Sequence, residues 1–156
     1  MSKPARVLFR AACESDLEDT ISMMVGYYTE DGYAFSAAAA ESSFLKVIAE
    51  PGLGQVYIFE IDAVVIGYLV LTFGFSFEYR GRDAFIDELF IKPEYRGQGI
   101  GSSALDFAED ECKKAGVNAL HLEVERDKVR TIELYRRHGF ANNDRFLMTK
   151  WLAKPS

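Results

Sequence analysis

The stretch Arg96-Gly97-Gln98-Gly99-Ile100-Gly101 has the residue types a diphosphate site needs. Such a ligand calls for several convergent N–H donors and for neighbours small enough to let the backbone approach. Gly97, Gly99 and Gly101 give that freedom, and a helix starting near Gln98 turns the positive end of its dipole towards the anion. Ser102 adds a hydroxyl donor, and Arg96 supplies a cation or holds the shape of the loop. A Walker loop would end in Gly-Lys-Ser/Thr, but the residues here are Gly101-Ser102-Ser103, without a lysine. A dinucleotide fingerprint would read G-x-G-x-x-G directly after a strand. This loop reads G-x-G-x-G, and Lys92-Pro93-Glu94-Tyr95-Arg96 comes between strand and glycine. The alternative is a tight turn with no ligand, although three glycines cost more chain entropy than such a turn requires.

Carboxylates and aromatic rings gather elsewhere. Asp87 lies two residues before Leu89, so strand alternation predicts both side chains on one face, with Glu88 on the other. Tyr27, Tyr28, Glu30, Asp31 and Tyr33 cluster at a break between helices, and Phe75, Phe77 and Tyr79 alternate further on. Rings with carboxylates suit an ammonium through cation–π and ionic attraction. The plainer alternative puts Phe75 and Phe77 in the core and leaves Glu30 and Asp31 as solvated loop charges. His121 and His138 are too few and too far apart to suggest a metal site, and none is expected. His121 falls on a strand face with Glu123 and Glu125, opposite Leu120 and Leu122, which predicts a surface or pocket-edge position.

The elements that position these residues follow in order. Val7 to Ala11 reads as a strand, and Ser15 with Glu18 as a capping box opening a helix to about Tyr28. A second helix runs from about Ser36 to Ala49. Gln55 to Ile61 and Val64 to Phe73 are strands parted only by Asp62-Ala63, hence a hairpin. Gly74 to Asp83 reads as a connection, and Ala84 to Ile91 as the strand before the glycine loop. The next helix spaces Ile100, Ala104, Leu105, Ala108, Cys112 and Ala115 along one face and closes with Lys113 and Lys114 before Gly116. A strand over Ala119 to Val124, a helix over Thr131 to His138 and a strand over Phe146 to Leu152 complete an α/β domain with helices on both faces of a mixed sheet.

With 156 residues the chain is expected to form one domain that needs no disulfide or metal staple. A net charge of −6 argues against a nucleic-acid partner. Cys13 and Cys112 form no CxxC pair and are expected to be reduced, as in a cytoplasmic protein. Neither an export signal nor a membrane-spanning run is read in the sequence.

The stretch Ile91-Lys92-Pro93-Glu94-Tyr95-Arg96-Gly97-Gln98-Gly99-Ile100-Gly101-Ser102 resembles the central motif of the GNAT superfamily of N-acetyltransferases. Arg10-Ala11-Ala12 with Asp16 is similar to that family's first strand and helix start. Leu134-Tyr135-Arg136-Arg137-His138-Gly139-Phe140 is similar to its last motif, and Ile86 to Ile91 looks most like its diamine and polyamine branch. The resemblance implies a mostly antiparallel sheet with a splayed central strand, acetyl-CoA as co-substrate and a small amine or lysine-like acceptor. It also suggests a homodimer with the last strand at the interface.

By position, the resemblance makes the Leu89 N–H the donor that polarises the thioester carbonyl. Phe90 and Ile91 then line the pantetheine arm, and Arg96 to Ser102 hold the pyrophosphate. Asp87 stands where the polyamine branch has a glutamate proposed as base through water, with Glu88 or a water chain as alternatives. A base further back on the strand is ruled out, because Phe85 stands there. Tyr135 matches the family's general acid. The family's asparagine and alanine before that tyrosine are Lys128 and Thr131 here, so one coenzyme contact changes. No nucleophile elbow is present, which favours direct transfer. A non-catalytic acyl-CoA-binding or sensing module would keep the glycine loop without needing Tyr135 or a base.

Overall fold

The computed structural model describes residues 6–153. The chain divides into two compact units, Met1–Glu123 and Val124–Ser156.

The first unit holds a five-stranded sheet in the order β1-β2-β3-β4-β5. Its strands are β1 (Leu8–Ala11), β2 (Gly54–Ile61), β3 (Val64–Ser76), β4 (Gly81–Ile91) and β5 (Ala119–Leu122). The first three pairings are antiparallel and β4 pairs with β5 in parallel. The β2–β3 turn is set by Asp62 and Ala63, both at positive φ (48° and 63°), as a two-residue hairpin that follows strand twist demands. β3 and β4 run further than their composition suggests, pairing from Gly67↔Ile91 out to Ser76↔Gly81. Gly74 and Gly81 look like turn residues but sit in this ladder, which leaves only 77–80 as the connection.

Helices α1 (Leu17–Asp31) and α2 (Ala37–Ala49) cover one face of the sheet. Met23, Met24 and Phe44 pack there against Val56, Ile58, Tyr68, Val70 and Phe90. α3 (Ile100–Lys114) supplies Ile100, Ala104, Leu105, Ala108 and Cys112 to the core. It covers the other face, where Phe107 stacks on Phe9 and meets Tyr57 edge-on, each at 4.9 Å between centroids. Burial pushes the Cys112 thiol up to about 11, so it stays protonated and behaves as a small apolar side chain.

The start of α1 differs from the expected Ser15–Glu18 box. A 3-10 turn, Glu14–Asp16, precedes it, and Asp16 Oδ2 accepts the Cys13 N–H at 2.9 Å. The reason is Arg10, whose Nη1 and Nη2 each reach Asp16 at 2.8 Å while Nη2 also meets Glu60 at 2.8 Å. Those hydrogen bonds from Arg10, with the Cys13 contacts, hold the Asp16 carboxyl at about 2, below its ordinary 3.8. A depressed carboxyl stabilises the fold above its unfolded value, and the benefit is lost as pH falls through about 2. Asp16→Asn is therefore expected to cost about 2 kcal/mol at neutral pH and almost nothing near pH ~2. Urea unfolding at the two pH values measures both.

In the second unit, α4 (Val129–Arg137) ends at His138 and Gly139, the latter at φ 88°. The expected strand over Phe146 to Leu152 is not formed. A strand persists only when its backbone groups join a ladder, and the described part of this unit offers no second strand. Phe146 instead lies under the Arg126 guanidinium, 5.3 Å from its centroid.

Candidate active site

β5 stays beside β4 only from Asp83↔Ala119 to Ile86↔Leu122, whereas β4 continues to Ile91 on β3 alone. Asp87 to Ile91 thus has an open edge on the β5 side. Lys92 N–H donates to the Ile66 carbonyl at 2.8 Å, which fixes the phase of the β3–β4 ladder. Counting back by alternation, the N–H and C=O of Leu89 and Ile91 turn away from β3 towards that edge. The Ile91 carbonyl is found there, accepting from Arg96 Nε at 2.7 Å. Leu89 therefore directs a backbone donor out of the sheet where β4 and β5 part.

The expectation that Asp87 and Leu89 share a face is corrected by a β-bulge. Val70 pairs with Glu88 and Leu71 with Ile86, so Asp87 is an extra residue with no partner across the ladder. The bulge shifts the alternation by one. Arg82, Ala84, Ile86 and Leu89 face α3, a side confirmed where Arg82 Nη1 donates to the Ala115 carbonyl at 3.2 Å. Asp83, Phe85, Asp87, Glu88 and Phe90 face α1 and α2, and the Asp87 and Glu88 side chains act electrostatically on Tyr27 and Tyr28. Asp87 is open to solvent. The protein around it still desolvates the carboxyl enough to push it above its usual range.

Glu88 serves another purpose. Tyr68 Oη donates to its Oε1 at 2.7 Å and Tyr28 Oη to its Oε2 at 3.0 Å. Desolvation pushes this carboxyl up and the phenol bonds pull it back down. With each oxygen holding a phenol, Glu88 fastens α1 to β4 and leaves Asp87 as the accessible carboxylate. Tyr27, Tyr28 and Tyr68 are all pushed well above the usual phenol range, first by burial and then by the Glu88 charge.

Beyond Ile91 the chain makes a 3-10 turn, Pro93–Tyr95, and enters the loop. Gly97 and Gly99 sit at φ 76° and 80°, in space where a Cβ would meet no atom within 4 Å. Their glycines are required by conformation, not by crowding. α3 starts at Ile100, two residues later than expected, because left-handed Gly99 is its cap. Ser103 N–H takes the Gly99 carbonyl at 3.1 Å, so the N–H groups of Ile100, Gly101 and Ser102 point out of the helix end. Gln98, Gly99, Ile100 and Ser103 border a cleft of about 470 Å³ whose other side includes Arg6, Val7, Phe9 and Ile61.

Arg96 holds the loop. Its Nη2 meets both Glu30 oxygens at 3.0 Å and its guanidinium lies 5.3 Å from the Phe90 ring centroid. Glu30 is accordingly an ion-pair partner, not a solvated loop charge. Phe90 is 6 % exposed and its ring belongs to the α1–α2 core, so its side chain does not line the open edge. Phe75 and Phe77 are not core residues, at 73 % and 93 % exposure.

Within the second unit, Tyr135 lies on α4, its ring 5.9 Å from that of Phe140. Its carbonyl accepts the Phe140 N–H at 3.0 Å, closing the helix on the Gly-Phe pair of its motif. Lys128 caps the other end, its carbonyl taking the Ile132 N–H at 2.9 Å.

Comparison with known proteins agrees with this arrangement. The model of the acetyltransferase (GNAT) family matches residues 18–140. The thialysine N-epsilon-acetyltransferase of Bos taurus is 35 % identical over 94 residues, which are 60 % of this chain and 51 % of that protein. The chain thus spans about half the length of that relative. A crystal structure of an integron cassette protein from the mobile metagenome of Cole Harbour Salt Marsh superposes with a TM-score of 0.83 at 34 % identity. It covers 94 % of this chain and 91 % of its own. A predicted acetyltransferase of Clostridium acetobutylicum, solved with acetyl-CoA, shares the fold with a TM-score of 0.79 at 20 % identity, covering 93 % of this chain and 96 % of that one. The motif span, the parted β4 and β5, and the extent of the family match together establish that this chain belongs to the GNAT family of acetyltransferases.

Proposed function

We propose that the chain transfers the acetyl group of acetyl-CoA directly to a primary amine within a ternary complex. The observation that carries this reading is the open edge of β4, where a Leu89 N–H leaves the sheet next to the bulged Asp87 carboxylate. The pyrophosphate is held at the outward N–H groups of Ile100, Gly101 and Ser102, with Gly97 to Gly99 letting the backbone approach and Arg96 keeping the loop in shape. The pantetheine arm extends the sheet along the β4 backbone from Ile91 to Leu89. The Leu89 donor meets the charge that develops on the thioester oxygen, a contribution of ~3 kcal/mol for donors of this kind.

An alkylammonium with a pKa near ~10.4 needs about 4–5 kcal/mol to be held neutral at pH 7. Asp87, through a water, accepts that proton. Nitrogen then attacks the carbonyl carbon, the C–S bond breaks, and Tyr135 protonates the departing thiolate. This chemistry calls for no metal. A homodimer in the cytoplasm, where acetyl-CoA is available, completes the reading. Among the described residues no helix is long and apolar enough to cross a membrane.

Thiol release from acetyl-CoA across a set of primary amines, paired with calorimetry, tests the proposal. Acetyl-CoA is expected to bind more tightly than ATP or NAD, and thiol to appear one-for-one with acetylated amine. Binding without turnover would instead identify a sensing module, and preference for a nucleotide would refute the acyl-CoA site.

A further inference from the structure

β4 carries an aromatic side chain whose exposure its neighbours do not share. Phe85 is 38 % exposed, between Ala84 at 0 % and Ile86 at 7 %. It lies on the α1–α2 side of the sheet, two residues before Asp87 on the same face. His121 is its register partner on β5, and the two rings are 4.9 Å apart. The Tyr79 ring also lies against the imidazole, at 4.7 Å between centroids.

These rings are held in place. Asp83 Oδ2 lies 3.1 Å from His121 Nε2, and the two side chains are only 15 % and 16 % exposed. Asn118 Nδ2 donates to the carbonyls of Tyr79 and Arg80 at 3.2 and 3.0 Å, which anchors the turn that carries Tyr79. The result is a shelf of rings on the sheet face that also bears the Asp87 carboxylate.

We propose that Phe85, His121 and Tyr79 form a subsite for the acceptor, and that the acceptor is an arylalkylamine whose ring rests on this shelf while its nitrogen meets Asp87. This rests on the amine reading above and narrows it. Residues two apart on a strand are separated by about 7 Å. A linker of three bonds, roughly 1.5 Å each, with the ring's own radius carries the nitrogen most of that distance, and the water between nitrogen and carboxylate covers the rest. A diamine would instead set its second charge over these rings, where the Asp83 carboxylate is already engaged by His121, and putrescine is the acceptor that separates the two cases. Asp83 and His121 are positioning residues here, since they orient the shelf without touching the reacting atoms.

The test compares phenethylamine, n-butylamine and putrescine as acceptors, with Phe85→Ala and Phe85→Leu variants alongside. Phenethylamine is expected to show kcat/KM about tenfold above n-butylamine, mainly through KM, as a ring–ring contact of this kind provides. Both variants should collapse that ratio towards one. Phe85→Leu keeps the apolar volume and guards against a folding defect, which unchanged acetyl-CoA binding also reports. Equal use of phenethylamine and n-butylamine, preference for putrescine, or a ring preference that survives both variants would overturn the shelf while leaving amine acetylation standing. No turnover with any of the three amines, given intact acetyl-CoA binding, would overturn the amine reading and the shelf together.

Discussion

Asp87→Asn is expected to lower kcat about 10²- to 10⁴-fold while acetyl-CoA binding stays within a factor of about two, as loss of a general base requires. The pH dependence provides a second readout. Desolvation by the protein around it pushes the Asp87 carboxyl above its ordinary 3.8, so the acid limb of kcat/KM in the parent protein should lie above the usual carboxylate range. Activity rises through that limb as the carboxyl gives up its proton. Asparagine cannot titrate, so the variant's residual rate should simply follow the fraction of free amine. Stability moves the other way. A carboxyl whose folded value is raised favours the fold most below its unfolded value, and that benefit is lost as pH rises through the folded one. At neutral pH the ionised Asp87 opposes folding, and the variant should unfold at the same temperature or slightly higher. A slow enzyme with undiminished Tm separates a lost base from a damaged fold. Glu88→Gln should show the reverse pattern, because its oxygens bind Tyr28 and Tyr68 and fasten α1.

Features governed by neighbours in sequence were legible before any coordinates. The Asp62-Ala63 hairpin, the span of α2 and the apolar stripe of α3 are of this kind. Each depends on local φ, ψ or helical period, which residue type constrains directly. The bulge at Asp87 was not legible, because it is defined only by a slip in pairing against Val70 and Leu71. Its consequence is large, for it moves Asp87 from the Leu89 face to the tyrosine face. Arg96 illustrates the same principle: its partner Glu30 is 66 residues away, and no pattern near the loop indicates the ion pair. The shelf depended on the extended β3–β4 ladder. Gly74 to Asp83 carried turn-like composition, so Asp83 and Tyr79 could not be set against His121 from sequence. An exposed aromatic between two buried strand positions is visible only when burial is known.

Tyr135→Phe is the other substitution expected to have a large effect, about 10²-fold or more on kcat, with acetyl-CoA affinity nearly intact. The phenol's task arises after nitrogen attack, when the thiolate leaves. Removing one oxygen leaves the ring, its 5.9 Å contact with Phe140 and the helix termination at Gly139 untouched, so α4 should fold as before. The assignment comes from the Leu-Tyr-x-x-x-Gly-Phe motif, so the variant is its direct test. The chemistry also predicts how the loss depends on the leaving group. A thiolate of lower pKa needs less help to depart, so an acyl donor built on a more acidic thiol should recover part of the lost rate. The Asp87→Asn variant should show no such recovery, since its missing function precedes C–S cleavage. The same rescue in both variants, or none in Tyr135→Phe, would remove the general-acid role from Tyr135 and leave it a packing residue of its helix.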